Sequence, residues 1–263
     1  QRPEVRPMNN EVVLKVEGIS DSRLLKNVSF ELRKGEILGF AGLMGAGRTE
    51  LARALIGADP KTAGKIYLRG KEVKIKSPSD AVKSGIGYLS EDRKKYGLLL
   101  IQNVTFNVIL SSIPSFSNKF GFLKTKPAGA ITRDAIKQLS IRTPSENQYL
   151  KNLSGGNQQK VVISKWLTRD CDILIFDEPT RGIDVGAITE VVFHIAFKIF
   201  EAFFGFILED FAFEFAKNLA VSFVENVGED VQATAVCHSH HKFIYAESGA
   251  ILNHGIQGGY QAF

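Results

Sequence analysis

The sequence predicts an α/β fold: a core with a mostly parallel sheet, an antiparallel β subdomain near the N-terminus, and an inserted helical subdomain. Three observations carry this expectation. A compact apolar run, Glu36-Ile37-Leu38-Gly39-Phe40-Ala41, leads through a glycine-rich turn into Thr49-Glu50-Leu51-Ala52-Arg53-Ala54-Leu55-Ile56, which has helical spacing. A second run, Asp172-Ile173-Leu174-Ile175-Phe176-Asp177, has the unbroken apolar centre of a strand buried on both faces in a parallel sheet. Between the two, from about 93 to 165, the pattern is mostly helical and polar, with loops rich in Ser, Pro and Gly near 111–129.

Length and composition set the frame. The chain has 263 residues, 44% of them hydrophobic, enough for one large domain or a core with a smaller subdomain packed on it. Cys171 and Cys237 lie far apart and belong to no pair at metal-ligand or redox spacing, so a reducing cytoplasm is the expected setting. No apolar run reaches the ~18 residues of a membrane-spanning helix, and the polar start Gln1-Arg2-Pro3-Glu4-Val5-Arg6-Pro7 does not read as a signal peptide, so peripheral membrane contact is expected. The formal charge of +5 mixes bases with acids instead of collecting them into one stripe, which predicts no nucleic-acid partner. From Glu190 onward the character changes: three lysines, no arginine, nine acids, all five histidines and most of the phenylalanines fall there.

The elements follow in order. The Pro-rich start to about Asn10 reads as an extended arm. Val12-Val13-Leu14-Lys15-Val16 is rich in β-branched residues, and Asn27-Val28-Ser29-Phe30-Glu31-Leu32 alternates like a half-buried strand, which predicts an antiparallel meander. The strand, turn and helix over 36–56 come next, then a hairpin around 64–70. A short helix is expected at Ser79-Asp80-Ala81, with Ser79 or Asp80 near its cap.

The turn Gly42-Leu43-Met44-Gly45-Ala46-Gly47-Arg48-Thr49 has the spacing of a phosphate-binding loop, in the strand-to-helix context that such a loop needs. Glycines let successive backbone N–H groups point into one concavity, and the helix N-terminus adds positive potential for the β- and γ-phosphates of a nucleotide. Gly42, Gly45, Ala46, Gly47, Arg48 and Thr49 are thus the candidate nucleotide-binding residues, with the Thr49 hydroxyl a candidate Mg²⁺ ligand. Arg48 stands where the usual loop has lysine; a forked guanidinium is longer than an ammonium, which predicts altered phosphate geometry and slow hydrolysis. A glycine-rich turn without ligand is the alternative that this segment alone leaves open. Asp177-Glu178 ends the second apolar run at the sheet edge where open α/β folds bind ligands. There Asp177 is a candidate Mg²⁺ ligand and Glu178 the candidate catalytic residue that polarises water, although an acidic surface turn explains two adjacent acids equally well.

Leu153-Ser154-Gly155-Gly156-Asn157-Gln158-Gln159-Lys160, upstream of the Asp-Glu strand, resembles the signature of the ATP-binding cassette superfamily. With the phosphate loop, Tyr88-Leu89-Ser90-Glu91-Asp92-Arg93 and Asp177-Glu178-Pro179-Thr180-Arg181-Gly182-Ile183-Asp184-Val185-Gly186-Ala187, the sequence is similar over about 12–189 to the second cassette of ribose- and galactose-type import ATPases. That resemblance implies a RecA-like P-loop NTPase core. It implies ATP and Mg²⁺ as ligands, ATP hydrolysis coupled to monosaccharide uptake, and a peripheral position on the cytoplasmic face of the inner membrane. The implied partners are a second cassette, fused or separate, membrane permease subunits and, indirectly, a periplasmic sugar-binding protein. Ser154, Gly155 and Gly156 would cap the γ-phosphate on the partner cassette, backbone N–H groups and the helix dipole favouring the anion. Glu91 replaces the glutamine that most cassettes carry, and by position it is a third candidate metal ligand, through water. Asp184 would lie in the loop that crosses the sandwich interface.

These readings divide the chain into an arm over 1–11, a nucleotide-binding core with its β subdomain over 12–94 and 166–263, a helical signature subdomain over 95–165, and an atypical tail over 190–263. In the tail, Ala233-Thr234-Ala235-Val236-Cys237-His238 is the candidate switch strand and 243–252 the candidate closing hairpin. Cys237, His238, His240 and His241 are of metal-binding types, but an irregular His-rich tract without metal is the favoured reading. The stretch 203–215 carries three acids and reads as a poorly fitting helix, not a membrane insert. Two alternatives remain: a catalytically weak cassette that completes its partner's site, which Arg48 favours and Glu178 opposes, and a non-transport cassette ATPase, which would call for coiled-coil insertions or basic linkers absent from the sequence.

Overall fold

The computed structural model describes residues 10–43, 45–179, 232–238 and 261–262. Two sheets organise them. The first is antiparallel, in the order β2-β1-β4-β5, built on β1 (Val12–Ser20) with β2 (Val28–Arg33), β4 (Ala63–Leu68) and β5 (Lys71–Val73). Leu14 and Val16 sit opposite Leu32 and Phe30 on one side and Leu68 and Ile66 on the other, so the apolar set lies on one face. Lys15 on the other face pairs with Glu17 at 2.7 Å, in water. Arg69 and Gly70, both at positive φ, turn the chain between β4 and β5 as the two central residues of a tight hairpin.

The second sheet has the order β6-β7-β8-β3-β9, with β3 (Ile37–Gly42), β6 (Ile86–Leu89), β7 (Ile173–Asp177), β8 (Gln232–His238) and β9 (Gln261–Ala262). Strands β6 and β7 run parallel, as do β3 and β9, while β8 is antiparallel to both β3 and β7. Four of the five strands therefore point one way, and the sheet is mostly parallel as expected. The reversed strand corrects one expectation. The segment 233–238 occupies the slot of a switch strand, but its direction puts His238 opposite Ile173, at the edge away from Asp177. An apolar run of period two fills a gap between two strands in either direction, so its composition does not fix its polarity. The side chains of Cys237 and His238, and residues 180–231, 239–260 and 263, which include Asp184, His240, His241, the 203–215 stretch and the 243–252 hairpin, lie outside the described residues.

Helix α1 (Arg48–Leu55) packs its Leu51, Ala54 and Leu55 into a core shared with β1, β2, β3 and β7. Helix α2 (Pro78–Lys83) is capped by Ser77, whose side chain accepts from the Asp80 amide, so Ser79 and Asp80 lie in the first turn, near the cap as expected. Pro78 follows the cap because its fixed φ and missing N–H suit the first helical position. The helical region comprises α3 (Val104–Ile109), α4 (Thr125–Gln138) and α5 (Gly155–Arg169), joined by the connections 110–124 and 139–154, each with a 3₁₀ segment. Val104, Val108, Val161, Val162 and Trp166 from these helices share a second apolar cluster with Leu89, Leu174 and Phe176 of the sheet. That shared core seats α5 against the strands that carry the acids. Among the described residues no helix is long and apolar enough to cross a membrane.

Candidate functional site

Strands β3, β6 and β7 deliver three chemistry-bearing segments to one sheet edge. The phosphate loop leaves β3 at Gly42, Ser90-Glu91-Asp92 leaves β6, and Asp177-Glu178 leaves β7. Loop conformation follows from its glycines. Gly45 and Gly47 sit at φ 81° and 86°, where a side chain would be strained, and Gly47 is the N-cap from which α1 starts. A Cβ on Gly45 would meet nothing within 4 Å, so that face of the loop is open to a ligand. The Ala46 amide donates to the Leu43 carbonyl at 3.0 Å and closes the curl.

Thr49, the second residue of the helix, donates from Oγ1 to Asp177 Oδ1 at 3.2 Å, and Tyr88 donates from its hydroxyl to Oδ2 at 2.8 Å. Asp177 is fully buried. The strand register explains the second bond: Tyr88 is level with Ile175, and Asp177 lies two residues further on the same face, within diagonal reach. Burial, and then the Asp177 charge, push the Tyr88 phenol well above its ordinary pKa, so it stays a donor. Tyr88 is the residue that the sequence reading left without a role; a polar tip inside the apolar run 86–89 was its only signal. Tyr88→Phe removes the hydroxyl that donates to a buried carboxylate, and we expect a loss of about 1–3 kcal/mol in folding stability, read as a lower urea midpoint with unchanged slope.

Glu178 is half-buried with φ 44°, an uncommon conformation for a side-chain-bearing residue. The buried Gln159 of α5 holds the turn from the other side, its Nε2 donating to the Pro179 carbonyl at 2.7 Å. Burial raises the Glu178 pKa above the ordinary carboxylate value, the Asp177 charge adds to this, and the Arg48 guanidinium opposes it. Arg48 is 5% exposed, and its Nη2 lies 3.5 Å from the Leu43 carbonyl. The arginine therefore sits folded against the loop, close enough to act on Glu178.

The signature segment opens α5. Ser154 is its exposed N-cap residue, with Oγ accepting from Asn157 Nδ2 at 2.9 Å, and Gly155 and Gly156 form the first turn. Gln158 Nε2 donates to the carbonyls of Leu150 and Leu153 and fixes the approach to that turn. At the other end Lys165, lowered to about 8 by burial, donates to the Gly97 carbonyl at 2.7 Å and ties the helix to the turn after Asp92. Glu91 stands two residues past the end of β6, at the same edge as Asp177.

Residues 25–181 match the sequence profile of the ABC transporter family. A ribose/galactose/methyl galactoside import ATP-binding protein of Burkholderia lata is 58% identical over 182 residues, which are 69% of this chain and 36% of that protein. One of Albidiferax ferrireducens is 54% identical over 183 residues, with the same coverage. The chain thus spans about a third of the length of these relatives. Among solved structures, a dimeric ATP-binding cassette in a post-hydrolysis state with ADP and Pi aligns with TM-score 0.59 at 19% identity, over 70% of this chain and 81% of that one. The ADP conformation of an ABC transporter cassette aligns with TM-score 0.54 at 18% identity, over 79% and 78%.

Proposed function

The chain belongs to the ABC transporter family, and on that premise we propose that it is the second cassette of a longer ATPase that powers monosaccharide import. The observation that carries this is the buried Asp177, shared by Thr49 and Tyr88 beneath the glycine loop, with Glu178 next to it. In this reading the backbone N–H groups of Gly45 and of residues 47–49 cradle the β- and γ-phosphates of ATP, on a loop whose curl the Ala46 amide closes. Thr49 Oγ1 and Asp177 Oδ1, two hard oxygens 3.2 Å apart, fit Mg²⁺, with Glu91 reaching a metal-bound water; bound there, the ion would offset phosphate charge. Glu178 accepts hydrogen-bonding from the attacking water and draws proton density from it, and its raised pKa makes it a better base than an ordinary surface carboxylate.

Ser154, Gly155 and Gly156 serve a nucleotide held by the phosphate loop of a second cassette. The exposure of Ser154 at the start of a 15-residue helix supports that role, since the amides of the first turn have no partner within the helix. Permease subunits would take up the motion of the pair at the cytoplasmic face of the inner membrane, with a periplasmic sugar-binding protein beyond them. The names of the relatives support the sugar and the direction of transport.

Arg48 favours a second reading, in which the chain's own site is weak and its signature completes the competent one. Single-turnover hydrolysis with protein in excess over labelled ATP tests both, comparing the native chain with Arg48→Lys. We expect MgATP binding by each, slow native turnover, and a rise of about tenfold in the variant, equivalent to ~1.4 kcal/mol of transition-state stabilisation. Absence of MgATP binding rejects the cassette role; a fall in turnover for Arg48→Lys rejects the weakened-site reading.

A further inference from the structure

The hairpin that joins the 3₁₀ segment Leu110–Phe116 to α4 combines two features that soluble surfaces rarely hold together. Phe120 and Phe122 are 74% and 71% exposed, and Leu123 beside them is 38% exposed. Around them stand the exposed amines of Lys119, Lys124 and Lys126, with Lys119 Nζ 5.1 Å from the Phe120 ring centroid. The tip is braced. Ser117 bridges Leu123, Asn118 Oδ1 accepts from the amides of Phe120 and Phe122 at 2.9 and 3.0 Å, the Asn118 amide donates to the Phe122 carbonyl, and Lys124 N donates to the Phe116 carbonyl at 2.7 Å. Both rings are thus presented by a fixed backbone rather than by a floppy loop.

The charge is as one-sided as the apolar display. Between Asp92 and Asp134 the sequence has no acid, against seven cations: Arg93, Lys94, Lys95, Lys119, Lys124, Lys126 and Arg133. Arg133 itself is engaged by Glu146 at 2.6 Å. Singly exposed apolar residues are ordinary, but paired aromatic rings on a protruding tip mark an interaction site. Aromatic rings partition into the headgroup region of a bilayer, and nearby lysines gain from the surface potential of anionic lipids. A protein partner would instead have to supply both a pocket for a convex tip and an acidic rim.

We propose that this hairpin is a peripheral membrane anchor. Phe120 and Phe122 enter the headgroup region of an anionic phospholipid bilayer, and Lys119, Lys124 and Lys126 meet the lipid phosphates. The inference uses no residue of the nucleotide site and stands apart from the transport reading.

The full chain is sedimented with vesicles of phosphatidylcholine alone and with vesicles in which about a third of the lipid is phosphatidylglycerol. Partition at least about tenfold stronger onto the anionic vesicles is expected, weakening as salt is raised. Phe120→Ser with Phe122→Ser, and separately Lys119→Glu with Lys124→Glu and Lys126→Glu, should each remove about tenfold of that partition while ATP binding stays unchanged, since all five side chains are solvent-facing. Equal partition onto both vesicle types, or undiminished partition of the double serine variant, overturns the proposal. So does a hairpin that crosslinks to permease subunits in detergent while showing no vesicle partition, which would assign the tip to a protein groove.

Discussion

Glu178→Gln keeps its MgATP and loses turnover by about 10²–10⁴-fold, the range that removal of a positioned general base spans. The amide has the shape of the carboxylate and leaves the strand end, the Thr49–Asp177 contact and the loop in place, so binding survives. Stability supplies a second readout with a definite sign. Because the folded Glu178 pKa is raised, the folded state holds this proton more tightly than the unfolded chain does. Its carboxyl is neutral in both states below the ordinary value near ~4.3, and the cost of ionising it in the fold sets in as pH rises from there through the raised folded value. Above the raised folded value the cost is fully present, and Glu178→Gln removes it. The variant should therefore melt higher than the native chain at pH 7, with the gap closing below that window. For the same reason native turnover should fall on acidification at a pH above the ordinary carboxylate range. A variant that hydrolyses ATP at the native rate removes Glu178 from the chemistry, and one that melts lower at pH 7 contradicts the half-buried, ionised carboxylate.

The legible parts of the fold were those in which local pattern and tertiary role coincide. The run 172–177 has one physical use, a strand buried on both faces, and every residue of Ile173–Asp177 is buried. Glycines at 45 and 47 specify the only kind of turn that tolerates their φ values. Tyr88 and Gln159 were not legible as site residues, because each acts through a contact with another segment: the hydroxyl reaches Asp177 across a strand pair, and the amide reaches Pro179 from a helix. No spacing along the chain encodes either distance. The direction of β8 was hidden for a different reason, since alternation is the same read forwards or backwards. The start of α2 was legible from Ser79 and Asp80, which lie in its first turn, and Pro78 at the first helical position sets the cap itself at Ser77.

Ser154→Arg should disable a cassette pair while leaving the chain that carries it almost untouched. Ser154 is exposed at the N-terminus of α5, and its side chain makes one bond, from Asn157. Losing that surface contact should change folding stability by no more than about 0.5 kcal/mol, and ATP binding to the chain's own loop should not change. What changes is the space over Gly155 and Gly156. A long guanidinium there fills the position that a γ-phosphate from the partner must occupy, and the first-turn amides can no longer close on it. In a fused or mixed pair, with each variant measured against the unmodified pair, turnover should fall about hundredfold, the scale of removing preorganised donors from a transition state. Arg48→Lys should shift the same turnover only modestly, because it alters the weaker of the two sites. The two roles separate cleanly in the opposite result: if Ser154→Arg is silent while Arg48→Ala abolishes turnover, the chain hydrolyses ATP in its own loop and its signature caps nothing that matters.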